Sequence, residues 1–150
     1  MRHAPRGLGT LALALAAALP GASARAQAPL AAACFNGGEA KTRVAVWIFE
    51  GYSDWRSAYT DWRAAQAGSP PVLVFSLMPG KYAYAADELG GCFFMPADAR
   101  EKVYRCESGG VRVTRLDLPN GISGEYRLSL SNATTKSLAF KATYCPPFRR

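Results

Sequence analysis

The chain has 150 residues, 18 Lys and Arg against 11 Asp and Glu, a formal net charge of +7, four cysteines and one histidine. That length holds a single ordinary domain. The lone imidazole, His3, lies in a stretch with the marks of an export leader, and its removal excludes Ser-His-Asp, Cys-His and His-ligated zinc chemistry from the working protein.

Residues 1–26 read as a cleaved signal peptide. Arg2, His3 and Arg6 give a positive start, Leu8 to Leu19 an apolar run, Pro20-Gly21 a break, and Ala22-Ser23-Ala24 and Ala24-Arg25-Ala26 the small-x-small pattern that signal peptidase reads, with cleavage expected after Ala26. The apolar run is well short of the ~20 residues a membrane helix needs, so no transmembrane segment is expected. Cleavage would take Arg2, Arg6 and Arg25, three of the 18 basic residues, and none of the 11 acids, lowering the net charge from +7 to +4.

Residues 27–41 read as a lead-in. Within it Leu30-Ala31-Ala32-Ala33-Cys34 loosely resembles a lipidation box, but Pro20, Arg25 and Pro29 separate it from the apolar run, and lipidation would leave an odd number of thiols. A single domain is expected over residues 42–145. Short runs rich in β-branched and aromatic residues predict strands at Thr42–Phe49, Val72–Leu77, Lys81–Ala85, Cys92–Met95, Lys102–Cys106, Val111–Leu116, Gly124–Leu130 and Ser137–Tyr144. Pro79-Gly80, Ser108-Gly109-Gly110 and Pro119-Asn120-Gly121 punctuate them as turns. Eight such runs imply a mostly β fold, an antiparallel β-sandwich.

One segment has a different period. Trp55, Ala58, Tyr59, Trp62 and Ala65 recur at helical spacing, Ser53 or Asp54 can cap, and Gly68 stops the pattern, predicting one short helix over about 54–66. Residues 146–150 form a basic tail ending in Arg149-Arg150.

Cys34, Cys92, Cys106 and Cys145 imply two disulfides in an exported chain. Spacing favours Cys92 with Cys106, closing a local hairpin, and Cys34 with Cys145, tying the ends. The two other connectivities stay open. No metal and no cofactor are expected, because the C-x-x-C pairs and His residues of a zinc site are missing and neither a GxGxxG nor a phosphate loop is present.

The run Arg43-Val44-Ala45-Val46-Trp47-Ile48-Phe49, followed by Ser76-Leu77-Met78-Pro79-Gly80-Lys81-Tyr82-Ala83-Tyr84-Ala85-Ala86-Asp87 and the turn Glu88-Leu89-Gly90-Gly91, resembles a pattern of small secreted bacterial β-sandwich domains of the prealbumin-like or immunoglobulin-like kind. The likeness spans Thr42 to Gly91. It implies a tight turn at Pro79-Gly80 with the motif tyrosine, Tyr82, turned inward. Cys34, Trp47 and Tyr104-x-Cys106 also resemble the Cys, Trp and Tyr-x-Cys constellation of antibody-type domains, which would imply Cys34 with Cys106 and Cys92 with Cys145.

For function, Tyr52, Trp55, Arg56, Tyr59, Trp62 and Arg63 form the candidate binding surface, because Trp, Tyr and Arg dominate binding hot spots. The competing reading is that Trp55, Tyr59 and Trp62 only cover the sheet. The leading expectation is a non-enzymatic periplasmic or secreted module that binds an envelope protein or glycan through this surface, with Tyr82 or Tyr84 as neighbouring aromatics. Scattered basic residues argue against a nucleic-acid partner. A second reading is an inhibitor of an exported hydrolase, with residues Asp98 to Arg105 or the Asn120-Gly121 loop as its wedge. A third is a carboxylate-based enzyme, for which Asp87-Glu88 lie in a turn where water would keep both ionised.

Overall fold

The computed structural model describes residues 31–37, 43–64, 69–97 and 101–147. The signal peptide expected over 1–26 and the end of the basic tail lie outside the described residues. The strands are β1 (Ala31–Gly37), β2 (Val44–Glu50), β3 (Val72–Leu77), β4 (Ala83–Ala85), β5 (Gly91–Met95), β6 (Tyr104–Asp117), β7 (Gly121–Leu130) and β8 (Thr135–Tyr144). Helix α1 (Trp55–Ala64) connects β2 to β3, and a 3-10 turn, Ala86–Glu88, connects β4 to β5.

The fold is mostly β with one helix and two disulfides, but it is a barrel and not the expected sandwich. The strand order β4-β6-β5-β3-β2-β1-β8-β7 is closed by a further pairing of β6 with β7, so seven strands form the barrel and β4 flanks β6 outside the ring. All pairings between these strands are antiparallel except β1 with β8, which run parallel through Ala33↔Ala142, Cys34↔Thr143 and Phe35↔Tyr144. Closure turns on β6. This 14-residue strand pairs with β5 at Tyr104 and Arg105, with β4 at Gly110 to Arg112, and along its length with β7. Its register shifts between Cys106 and Ser108 and between Val113 and Arg115, and such irregularities bend a strand far enough to serve both sides of a closed sheet.

Three sequence expectations are corrected here. The lead-in of residues 27–41 contains a full barrel strand, β1, because Phe35 and Ala33 fill the interior while Ala32 and Cys34 are covered from outside. Ser108-Gly109-Gly110 is no turn, and the predicted strands at Lys102–Cys106 and Val111–Leu116 are parts of one. Gly109 has φ +91°, and a Cβ there would lie 2.0 Å from the Arg127 carbonyl oxygen, while one on Gly110 would lie 2.4 Å from that of Tyr84. These glycines let β7 and β4 close in on β6. Tyr82, finally, is 66% exposed; the inward tyrosine is Tyr84, whose hydroxyl donates to the Met78 carbonyl at 2.6 Å and accepts from the Lys81 N–H, holding the Pro79-Gly80 turn from inside.

The barrel interior is filled by alternate residues of every wall strand, among them Phe35, Val46, Ile48, Leu73, Phe75, Val111, Ile122, Leu128 and Phe140. Phe75 meets Phe140 edge-on at 5.7 Å and Tyr126 at 6.4 Å, an aromatic group at the centre. Outside the wall, a second cluster gathers Cys34, Phe49, Val72, Val74, Met95 and Cys145 beneath α1. This explains why residues 72–75 of β3 read as an unbroken apolar run: Leu73 and Phe75 face the interior, as does Leu77 beyond Ser76, and Val72 and Val74 face the helix.

Cys34 is bonded to Cys145, with Cα atoms 5.6 Å apart and a sequence separation of 111, and Cys92 to Cys106, with a separation of 14. The antibody-type pairing is therefore not the one formed. Cys34 lies wholly buried in β1 and is engaged in a disulfide, which leaves no thiol for a lipid. Among the described residues, no helix is long and apolar enough to cross a membrane.

Candidate functional site

Helix α1 begins where Asp54 caps it. The Asp54 carboxylate accepts from the Ser57 N–H at 3.0 Å and from the Ser57 hydroxyl at 2.9 Å, satisfying a helix-end donor that has no partner within the helix. The backbone hydrogen bond from Ser57, the largest influence, holds the Asp54 carboxyl below its usual range.

The helix divides its side chains by face. Ala58 is fully buried, and Trp62 packs edge-on against Trp47 of β2 at 5.8 Å, so these two residues anchor α1 to the wall. Tyr59 continues the aromatic row, 6.0 Å from Trp62. On one flank Trp55, Arg56, Tyr59, Thr60 and Arg63 line a groove of about 430 Å³ whose opposite wall is Pro146 and Pro147. The Arg56 guanidinium lies over the Trp55 ring, 4.6 Å from its centroid, a cation–π contact that orients its donors. On the other flank the Asp61 carboxylate accepts from the Tyr52 hydroxyl at 2.5 Å; this hydrogen bond is the main reason the Tyr52 phenol is pushed up from its ordinary value.

Of the six residues that the sequence singled out, four (Trp55, Arg56, Tyr59 and Arg63) meet at the groove, while Trp62 turns toward the barrel and Tyr52 binds the acidic flank. Neither Tyr82 nor Tyr84 joins them. Pro146 and Pro147 were missed, because the pairing of β1 with β8 and the Cys34–Cys145 bridge, which bring the chain end to α1, join residues far apart in sequence. No family model, no curated protein and no solved structure matches this chain.

A larger concavity of about 600 Å³ lies on the outside of β4, β6, β7 and β8, floored by Ala83, Ala85, Gly110 and Ala139. Its charges largely balance one another. Arg112 pairs with Glu125 at 3.6 Å, and Glu88 pairs with Lys81. The Lys81 ammonium, first, and a hydrogen bond from the Ala85 N–H, second, hold the Glu88 carboxyl below its usual range, the reverse of what a proton donor for glycoside cleavage needs. Of the two wedge candidates, residues 98–100 lie outside the described residues; Val103, half exposed, precedes β6, and the Asn120 N–H donates to the Asp117 carbonyl at 2.6 Å in a tight turn. Among the described residues no cluster of His, Cys, Asp or Glu has the makings of a metal site.

Proposed function

We propose that this chain is an exported, non-enzymatic binding module of the bacterial envelope that holds an envelope protein or glycan in the groove between α1 and Pro146-Pro147. The observation that carries the reading is the meeting of Trp55, Arg56, Tyr59 and Arg63 in one 430 Å³ groove, the residue types that contribute most at binding hot spots. Two disulfides suit the oxidising conditions outside the cytoplasm. The depressed Glu88 carboxyl weighs against a carboxylate enzyme.

The test is capture from envelope extract by the immobilised, oxidised protein. R56Q/R63Q should lose its partner while keeping the melting temperature of the parent, and capture that is indifferent to both substitutions would refute the groove as the working surface. The inhibitor reading draws on the exposed apolar Val103, which lies three residues before the bridged Cys106 in sequence. It would replace the first if V103E, and not R56Q/R63Q, freed a captured hydrolase.

A further inference from the structure

We infer that the groove receives an acidic segment of a partner protein in polyproline II conformation, with carboxylates three residues apart, one for each arginine. The inference rests on the reading that this groove is the working surface, and three features of α1 support it.

The first is the separation of charge around the helix. Arg56 and Arg63 are seven residues apart on the groove flank, and Asp54 and Asp61, also seven apart, fall roughly 140–180° away around the axis. Asp54 is close enough to influence Arg56 but is committed to the helix cap, and Asp61 to Tyr52. Among the described residues no acidic side chain lines the groove and neither arginine is in a salt bridge. The described lining is thus a cationic strip.

The second feature is what its polar atoms offer. Guanidinium groups only donate, and among the lining side chains only Tyr59 and Thr60 carry an oxygen, the Thr60 hydroxyl donating its proton to the Arg56 carbonyl at 2.9 Å. Carboxylates on aliphatic stems only accept and carry the charge that matches two guanidinium groups, with Trp55, Tyr59 and the proline rings beside the stems, whereas a neutral sugar would leave both charges unmatched.

Spacing is the third. Seven helical residues advance ~10.5 Å, whereas a polyproline II segment returns to the same side every third residue after ~9.3 Å. A β-strand would turn its third residue to the opposite face. Aromatic grooves are the usual seat of polyproline II ligands, whose pre-set backbone loses little entropy on binding.

Titration of the oxidised protein by calorimetry and tryptophan fluorescence would use capped Pro-Glu-Pro-Pro-Glu-Pro, its isomer Pro-Glu-Glu-Pro-Pro-Pro, the Gln analogue of the first, and oligogalacturonate. The first peptide should bind at least five-fold more tightly than its isomer. R56Q and R63Q should each cost about five-fold, the upper range for an exposed ion pair, and abolish the preference for spacing. Equal binding of the two Glu peptides, or of the Gln analogue, would overturn the inference. So would arginine-dependent binding of oligogalacturonate in preference to the peptides, or failure of all the probes while extract capture still depends on Arg56 and Arg63; either outcome leaves the groove as the working surface. If those arginines affect neither probe nor extract, both readings fall together.

Discussion

Lys136 lies at the start of β8 and Glu50 at the end of β2, and both point into the same mouth of the barrel. The Lys136 ammonium stands 3.1 Å from the Glu50 carboxylate and 4.2 Å from the centre of the Phe94 ring, so the pair caps the apolar interior with its charges satisfied. Replacing lysine alone would leave a half-buried carboxylate above Phe94. K136M should therefore lower stability by about 1.5–3 kcal/mol in urea unfolding, and K136M/E50Q should recover part of the loss. Deeper in, burial chiefly and the Glu50 charge secondarily push the Tyr126 phenol well above its ordinary value. A proton held more tightly by the folded chain favours folding below the unfolded-state value of about 10, with no loss there, and this stabilisation is withdrawn as pH rises beyond it. Parent protein should thus lose stability between pH 9 and 11 (roughly the range bracketing that value) more steeply than Y126F, as followed by the urea midpoint.

At the scale of elements, α1 shows what a period reveals and what it hides. Its existence was legible because Trp55, Ala58, Tyr59 and Trp62 repeat at helical spacing. Which aromatic anchors and which one is offered to a ligand was not legible, since that depends on the side from which the wall approaches. The structure divides them: W62A, which removes the contact with Trp47, should destabilise by about 3–5 kcal/mol, whereas W55A should cost far less stability and weaken binding. The cap adds a pH dependence of its own. Because the Asp54 carboxyl is depressed on folding, its contribution is complete above the unfolded-state pKa and is lost as pH falls through the lowered one, so helical circular dichroism should fade in acid more steeply in the parent than in D54N, whose amide caps without titrating. Other elements were harder to read. Ala31-Ala32-Ala33 offers no β-branched signal, and β1 becomes a strand because β2 and β8 flank it. Gly109-Gly110 has turn composition but serves close strand approach, and in Tyr82-Ala83-Tyr84 strand alternation leaves two like residues competing for one inward place.

For the whole molecule, an even cysteine count behind a leader-like N-terminal run was enough to expect two bridges, but the barrel itself was hidden, because its closure depends on pairings between residues far apart in sequence. The two bridges should differ in consequence. Loss of Cys34–Cys145, which closes the longer loop, should cost about 4–5 kcal/mol and release the Pro146-Pro147 wall, while loss of Cys92–Cys106 should cost about 3 kcal/mol. Thus C34S/C145S should abolish partner capture even below its melting point, and C92S/C106S should retain it.

The parallel junction of β1 with β8 also sets a timetable. The first strand of the described fold waits for the last, so a chain emerging from a ribosome N-terminus first cannot close its barrel until nearly every residue has arrived. Such a protein becomes a sealed object only on release.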